Sequence, residues 1–190
     1  MKKILKDWWL IIGLACSIYL FGYAEVAGFM QRIILSTGIM QPDVIEKAEQ
    51  VEVNYDFKLR DEQGASVDFN QFKGQMVFLN FWATWCPPCV AEMPDIHDLY
   101  LKLKDENISF VLISRDENFD KAKNFIERKS YTFPIYKTVS PLPGTLASRS
   151  IPATFVISSE GKIIAQRIGM AKYDTEEFRN LLLQVPEGNN

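Results

Sequence analysis

Two cysteines separated by two residues, Cys86 and Cys89, are the side chains best suited to chemistry in this sequence. They stand in the stretch WCPPC, directly after the apolar run FLNFWAT and at the start of a predicted helix. Two sulfurs one helical turn apart can form a disulfide without backbone movement. The N-terminus of a helix also lowers the pKa of a thiol placed there. The pair is therefore a candidate redox-active dithiol, with metal binding and chance spacing as the alternatives.

A zinc site is the first alternative to consider, and the residue counts argue against it. A structural zinc ion takes four ligands, usually supplied as two pairs. The chain has three cysteines and one histidine, His97. The third cysteine, Cys16, lies inside an apolar N-terminal stretch, where it is interpreted as a small apolar filler. We therefore predict no metal and no cofactor other than the redox-active disulfide itself.

The elements around the cysteine pair predict an α/β architecture with a mixed sheet. Residues 76–81 are too apolar to have a solvent-exposed side and are predicted to be a buried strand. The pair follows this strand and begins a helix, in which Pro94 is expected to produce a kink. Further along the chain the order is strand, helix, strand, hairpin and helix. Turns are expected at Gly64 and Gly161, and Thr175 or Asp174 is expected to cap the last helix.

Composition limits the class of protein and its partners. The chain of 190 residues is 47% apolar and carries a net charge of −3, which suits one compact domain with an appendage. A nucleic-acid partner would require a clustered basic surface, and the sequence has no basic run of that kind. Nucleic acid is therefore not expected as a partner.

The N-terminus predicts a membrane anchor over residues 1–24. Three lysines precede an uncharged stretch, residues 8–24, whose 17 residues reach the lower end of the length that spans a bilayer, about 17–25 residues. Contact with lipid is expected through this stretch, with the lysines in the cytoplasm and the remainder of the chain outside it. A cleaved signal peptide is the alternative.

Residues 25–50 are predicted to form an amphipathic helix at the membrane interface followed by a polar linker. The alternative is an ordinary amphipathic helix packed on the domain. The apolar residues at helical spacing are Val26, Phe29, Met30, Ile33 and Ile34. Residues 51–190 then form the main domain.

Three stretches carry a resemblance to a known family. The sequence NFWATWCPPCVAEMP, with FKGQMVFLNF before it and SIPATFVISSEGKII after it, resembles the TlpA/ResA-like family of membrane-anchored thiol–disulfide oxidoreductases. The resemblance covers roughly residues 51–187. It implies a thioredoxin-like fold, in which helices flank a mixed central sheet, with an extra strand–helix insert between Cys89 and Pro152.

The resemblance also implies roles for individual residues. Cys86 would be the nucleophile and Cys89 the resolving thiol. Pro152 would be a cis proline facing them, and Ile151 would offer its backbone to an extended substrate. The other residues expected at the substrate-binding surface are Trp85, Pro87 and Pro88.

One position departs from the pattern of thioredoxins proper, which have an acid on the strand beneath the disulfide. Asn80 stands near that position and cannot take a proton from the resolving thiol. Glu92 lies three residues after Cys89, on the same side of the predicted helix. Glu92 is therefore the catalytic acid–base candidate, and a solvated helix glutamate is the alternative.

These expectations together describe a reductase tethered to the bacterial cytoplasmic membrane by a single pass, with its catalytic domain on the extracytoplasmic (periplasmic) side. Its expected partners are an integral-membrane electron donor and disulfide-bearing extracytoplasmic proteins, and cytochrome c maturation is among the roles of the family. The alternatives are a peroxiredoxin-type peroxidase and a non-enzymatic binding module. A peroxidase would want a threonine three residues before its cysteine, where this chain has Ala83.

Overall fold

The computed structural model describes residues 8–9, 11–13, 15–17, 19, 23–35 and 40–183. Within these residues the chain forms eight strands and, from Tyr23 onwards, four α-helices. The strands are β1 Asp43–Val44, β2 Lys58–Asp61, β3 Ser66–Asp68, β4 Met76–Trp82, β5 Ile108–Ser114, β6 Ile135–Thr138, β7 Ala153–Ile157 and β8 Ile163–Ile168. The helices are α1 Tyr23–Leu35, α2 Pro87–Leu103, α3 Phe119–Arg128 and α4 Glu176–Leu183.

All eight strands belong to one mixed sheet, in the order β1-β8-β7-β4-β5-β6-β2-β3. The central strand β4 pairs in parallel with β5 and antiparallel with β7. All seven residues of β4 are buried, because both sides of the sheet are covered. Side chains of α2, α3 and α4 pack on one side, and an aromatic group that includes Tyr55, Phe57 and Phe69 packs on the other. The predicted mixed α/β architecture is confirmed.

Most local predictions within this sheet are also confirmed. Gly64 and Gly161 occupy turns with φ of 91° and 84°, a backbone conformation that glycine adopts without steric cost. The Thr175 hydroxyl accepts a hydrogen bond from the N–H of Phe178, as expected of a helix cap. Helix α2 continues through Pro94 to Leu103, and the kink expected at Pro94 stays a prediction. The segment between Cys89 and Pro152 contains helix α3 and strand β6 after β5.

The predicted polar linker contributes to the sheet. Strand β1 pairs antiparallel with β8, with Asp43 opposite Gln166 and Val44 opposite Ala165. Just before this strand, the carbonyl of Met40 accepts a hydrogen bond of 2.7 Å from the N–H of Lys172. The folded unit therefore begins before residue 51, the position at which the sequence analysis predicted that the main domain starts. Strand β1 has only two residues, which is too short for an alternating apolar pattern to reveal it in the sequence.

Helix α1 packs on α2. For this segment the sequence analysis predicted a helix at the membrane interface and gave a helix packed on the domain as the alternative. Gly28 lies so close to α2 that a Cβ atom on it would be 3.1 Å from the carbonyl oxygen of Pro87 and 3.3 Å from the backbone nitrogen of Ala91. The side chains proposed for its apolar face (Val26, Phe29, Met30, Ile33 and Ile34) lie outside the described residues. At least one side of α1 therefore contacts the domain.

The predicted anchor lies partly outside the described residues, which omit 1–7, 10, 14, 18 and 20–22. The described positions of this stretch up to residue 19 are helical. Among them, the large side chains Trp8, Trp9, Ile11, Ile12 and Tyr19 are exposed. Among the helices described, none is both long enough and apolar enough to cross a bilayer.

Candidate active site

Cys86 and Cys89 form a disulfide where strand β4 leads into helix α2. Their Cα atoms are 5.3 Å apart, within the usual range for a disulfide. Cys86 is the N-cap residue of α2 and is 4% exposed, whereas Cys89 is fully buried. Cys86 is thus the sulfur nearer to solvent, as the predicted nucleophile should be.

Within the described part of the chain, few hydrogen-bonding groups near the Sγ atom of Cys86 would stabilise a negative charge. The backbone N–H of Cys89 donates to it over 3.3 Å. Pro87 and Pro88 occupy the first two helical positions and have no N–H to donate. On the opposite side, the carbonyl oxygen of Ile151 lies 3.8 Å from this sulfur. A Cys86 thiolate would therefore gain one hydrogen bond and face an electron-rich oxygen.

The loop before β7 completes the surface around the disulfide. The Ile151–Pro152 peptide bond is cis, as predicted, and its residues approach Cys86 through the Ile151 carbonyl. Trp85, which precedes Cys86, has 60% of its surface exposed, so a large aromatic ring is available beside the sulfur. The substrate-contacting roles of these residues and of the half-exposed Pro87 and Pro88 remain predictions.

Glu92 lies on the disulfide-bearing helix α2 and is fully buried, which rules out the solvated-glutamate alternative. Its Oε1 atom accepts a hydrogen bond of 2.9 Å from the Nδ2 of Asn80, which is also fully buried. Its Oε2 atom accepts one of 3.3 Å from the N–H of Ala171. The carboxyl group that the strand position lacks is therefore supplied by the helix and held by the asparagine.

The hydrogen bonds continue from Asn80 to the strand that follows the cis proline. Asn80 Nδ2 also donates to the hydroxyl of Thr154 over 2.9 Å. That hydroxyl lies 2.6 Å from the phenolic oxygen of Tyr173, a fully buried residue. Thr154 lies on β7, two residues after Pro152. The Glu92 carboxyl group is therefore connected, through the side chains of Asn80 and Thr154, to the strand that follows the cis proline.

Burial raises the pKa of Glu92 well above the ordinary value of 4.5. The hydrogen bonds from Asn80 and Ala171 oppose this rise, and the nearby negative charge of Asp95 adds to it. Desolvation dominates because the ionised carboxylate loses more hydration energy than two N–H donors restore. Glu92 consequently keeps its proton to a higher pH than an exposed glutamate would.

Asp116 is a site residue that the sequence analysis missed. Its two carboxylate oxygens accept hydrogen bonds from Thr84, one from the backbone N–H over 3.0 Å and one from the hydroxyl over 2.6 Å. Ser114 donates a third over 2.9 Å. Thr84 lies two residues before Cys86, so Asp116 fixes the loop that presents the disulfide. The sequence shows Asp116 just after a predicted strand, but its contact with Thr84 depends on β5 being the parallel neighbour of β4, which the sequence pattern does not determine.

Comparison with known proteins identifies the family. Residues 52–166 match the model of the AhpC/TSA family. A thiol-disulfide oxidoreductase ResA from Bacillus thuringiensis subsp. konkukian (strain 97-27) is 33% identical over 144 residues, which cover 70% of this chain and 79% of the relative. The chain is a ResA-like member of the AhpC/TSA family. The ResA of Bacillus thuringiensis (strain Al Hakam) is 35% identical over 114 residues, covering 60% of this ResA-like chain and 66% of that protein.

Solved structures agree with this assignment. A protein from Chlorobium tepidum described as thiol:disulfide interchange protein DsbE aligns with a TM-score of 0.61 and 26% identity. The alignment covers 70% of this chain and 96% of that one. The ResA-like protein therefore has a thioredoxin-like fold and is a thiol–disulfide oxidoreductase. No group of three or more histidine, cysteine or acidic side chains that could hold a metal ion occurs in the described part of the chain.

Proposed function

We propose that this ResA-like protein is a membrane-tethered reductase that passes electrons from an integral-membrane dithiol to disulfides outside the cytoplasm. The observation that carries the direction of electron flow is the environment of the Cys86 sulfur. A thioredoxin-fold dithiol is a strong oxidant when its leading thiolate is well stabilised. Here that thiolate would gain the Cys89 N–H and face the Ile151 carbonyl, which favours a reductant.

The first half of the cycle reduces the substrate. The Cys86 thiolate attacks one sulfur of the substrate disulfide, and the other substrate sulfur leaves as a thiolate. Cys89 then loses its proton and attacks Cys86 Sγ in the mixed disulfide. The second substrate sulfur is released, so two electrons have moved to the substrate and the Cys86–Cys89 disulfide has formed.

The second half of the cycle restores the dithiol. A thiolate of the membrane donor attacks Cys86, and Cys89 leaves as a thiolate that takes up a proton. The second donor thiol then displaces Cys86, and the donor is left as a disulfide. Glu92 lies one helical turn from Cys89 and is buried with it, which supports its role as the group that takes and returns the Cys89 proton.

The proposal that the protein is tethered to the membrane is based on the N-terminal apolar stretch, residues 8–24. Its described side chains include exposed Trp8, Trp9, Ile11 and Ile12, and large apolar groups of this kind favour a lipid environment over water. Disulfides persist outside the cytoplasm, so a reductase there requires a continuous electron supply. Attachment to the same membrane raises the effective concentration of a membrane donor.

Trapping in cells tests the proposal. With Cys89→Ser, the mixed disulfide at Cys86 cannot be resolved, and extracytoplasmic proteins should remain attached to Cys86. The Cys86→Ser, Cys89→Ser double variant is the matched control and should capture none. Capture of cytoplasmic proteins alone would contradict the assigned side of the membrane. Peroxide consumption comparable with disulfide reduction by the wild-type protein would instead support the peroxidase alternative, which the buried Ala83 disfavours because it has no hydroxyl.

A further inference from the structure

Helix α1 contacts the first turn of the active-site helix so closely at Gly28 that a Cβ atom there would crowd its neighbours. A Cβ on Gly28 would lie 3.1 Å from the Pro87 oxygen and 3.2 Å from the Cγ1 of Val90, closer than ordinary van der Waals contact. Pro87 directly follows Cys86 in the chain. The N-terminal helix therefore lies against the turn that carries the disulfide, rather than at a distant part of the domain.

A second set of contacts holds α1 at its N-terminal end. The Glu25 carboxylate pairs with Lys129 over 2.8 Å and with Arg128, which lie at the end of α3. Burial alone would raise the pKa of Glu25, but the hydrogen bonds and charges of Lys129 and Arg128 lower it overall. Glu25 is consequently ionised over the neutral range, and α1 is tied to two helices at once.

The distance from these contacts to the predicted anchor is short. Gly28 is four residues past Ala24, where the uncharged stretch ends. Four residues of α-helix rise about 6 Å, and adjacent Cα atoms are about 3.8 Å apart. With the helix–helix contact added, Cys86 lies on the order of 15 Å from the end of the apolar stretch. A flexible linker of similar length would allow many distances between Ala24 and Cys86, whereas the docked helix fixes that distance.

From this arrangement we infer that α1 is a fixed spacer that holds the Cys86–Cys89 disulfide within about 15 Å of the end of the apolar stretch, at or just outside the lipid headgroups, a layer about 5–8 Å thick on each side of the bilayer. The partner that fits this geometry is a membrane-embedded dithiol whose reactive sulfurs lie at the membrane–water interface. The inference rests on the proposed tether and specifies where along the membrane normal the electrons are transferred. The exchange is that of the second half-cycle, in which the donor dithiol becomes a disulfide and Cys86 and Cys89 become thiols.

Spacer insertions in the full-length membrane protein test the inference. A flexible Gly/Ser insert of about 16 residues, with a root-mean-square length of roughly 20–24 Å, is placed between Ala24 and Glu25. This insert falls after the first two residues of α1, and it lets the docked remainder of α1 (residues 25–35) and the disulfide move away from the membrane. The same insert between Gly38 and Ile39, after α1, is the matched control because it leaves α1 between the anchor and its docking contacts.

A substitution in α1 provides a second, independent test of the fixed-spacer inference. Gly28→Leu places a side chain where the Pro87 oxygen and Val90 leave no space, so α1 should leave α2. Gly144→Leu is the control because a Cβ at Gly144 has no neighbour within 4 Å. Both variants should react normally with dithiothreitol in detergent, which reports on an intact disulfide site.

Two readouts apply to all four variants. The first is the fraction of Cys86 and Cys89 found reduced in cells by thiol alkylation. The second is energy transfer to rhodamine-headgroup lipid in vesicles, from a dye placed by Trp85→Cys in a background with the native cysteines replaced by serine. We expect both readouts to fall at least severalfold for the Ala24/Glu25 insert and for Gly28→Leu. The Gly38/Ile39 insert and Gly144→Leu should match the parent protein.

The possible outcomes separate this inference from the proposed function. Equal energy transfer and equal reduction in all variants would overturn the fixed-spacer inference while leaving the reductase proposal intact. A parent protein that is never reduced in cells, or that does not bind vesicles, would overturn the proposed function and the inference with it. Lower energy transfer with unchanged reduction would overturn the interfacial position assigned to the donor.

Discussion

The side-chain amide of Asn80 on strand β4 donates a 2.9 Å hydrogen bond to the carboxyl group of Glu92 on helix α2, and both residues are fully buried. This bond connects the strand beneath the disulfide to the helix that carries it. It also explains how a chain with an asparagine at the strand position can retain an acid near the resolving cysteine. The acid stands on a different element and is held by the asparagine.

Replacing Glu92 should slow disulfide reduction and change its pH dependence. With Glu92→Gln we expect a decrease on the order of 10²-fold, the lower range for loss of general acid–base catalysis. In the parent, the rate should rise as Glu92 ionises, at a pH above the ordinary 4.5 because burial raises its pKa. Reduction of a model disulfide between pH 4 and 9 measures both effects. Glu127→Gln, at an exposed site on α3, is the control, and an unchanged profile for Glu92→Gln would remove the proton-transfer role.

The same carboxyl group should make the stability of the domain depend on pH. Because the folded-state pKa of Glu92 is raised, the folded protein binds more protons than the unfolded chain above pH 4.5. The free energy of unfolding should therefore decrease as the pH rises from 4.5 towards the folded-state pKa, by at most about 1.4 kcal/mol per pH unit for one proton. Glu92→Gln should remove the part of this slope that Glu92 contributes, while Asp95, whose pKa is also raised by burial, contributes a slope of the same sign in both proteins. Urea unfolding of the oxidised protein at several pH values measures it, and equal slopes in parent and variant would contradict the prediction.

Restoring an N–H donor beside Cys86 should make the protein more oxidising. Pro88→Ala adds a backbone N–H at the second helical position, where a cap side chain can accept it. A hydrogen bond to a charged group is worth about 1.5–3 kcal/mol, which corresponds to about 30–60 mV for this two-electron couple. The Cys86 pKa should fall in parallel. Pro94→Ala, in the same helix but beyond its first turn, should leave the potential unchanged.

The parent potential should lie nearer to that of thioredoxin, about −270 mV, than to that of a strong oxidase, about −120 mV. Equilibration of the full chain with glutathione in detergent, in a Cys16→Ser background, gives both this value and the shift for Pro88→Ala. A parent value more positive than about −180 mV would refute the reductase direction and leave an oxidase or isomerase.

Weakening the hydrogen bonds between Asp116 and Thr84 should loosen the loop that leads to the disulfide. In Asp116→Asn, the hydroxyl of Thr84 can turn to accept from the new NH₂ group, but the negative charge that strengthens the hydrogen bonds from Thr84 and Ser114 is lost. We expect destabilisation of about 1–3 kcal/mol and faster alkylation of reduced Cys86. Glu117→Gln, the exposed neighbour, is the control. Chemical denaturation and the alkylation rate measure the two effects, and a variant indistinguishable from Glu117→Gln would show that Thr84 is held by other contacts.

Membrane attachment should depend on residues 8–24. The full chain should remain in the membrane fraction after carbonate washing, because the uncharged stretch is long enough to reach across a bilayer. Replacing Ile11 and Ile12 by aspartate should release the protein, since each charge within an apolar segment costs about 2.5–3.5 kcal/mol. A soluble mature protein that begins near residues 25–40 would show instead that the stretch is a cleaved signal.

The features that could be predicted from the sequence depend on residues close together in the chain. The buried strand before Cys86, the turns at Gly64 and Gly161 and the cap at Thr175 each have a signal within a few positions. The cis bond at Pro152 was predicted because its neighbouring residues match a known family. These predictions needed no knowledge of which strands become neighbours.

The contacts that were missed join residues far apart in the chain. Asp116 lies 32 residues from Thr84, and Glu25 lies 104 residues from Lys129. Such pairs depend on the strand order and on how helices dock, which hydrophobic periodicity does not determine. Glu92 illustrates the same limit, because its position on the helix was correct while its complete burial required knowledge of the elements that cover it.

The short strand β1 determines where a truncated, soluble form of this protein should begin. A fragment beginning at residue 51 would lose β1 and the Met40 hydrogen bond, and the part of β8 that pairs with β1, at Ala165 and Gln166, would become an open edge. Unprotected edges of this kind recruit strands from other molecules and promote aggregation. A soluble fragment that stays monodisperse should therefore begin no later than Met40.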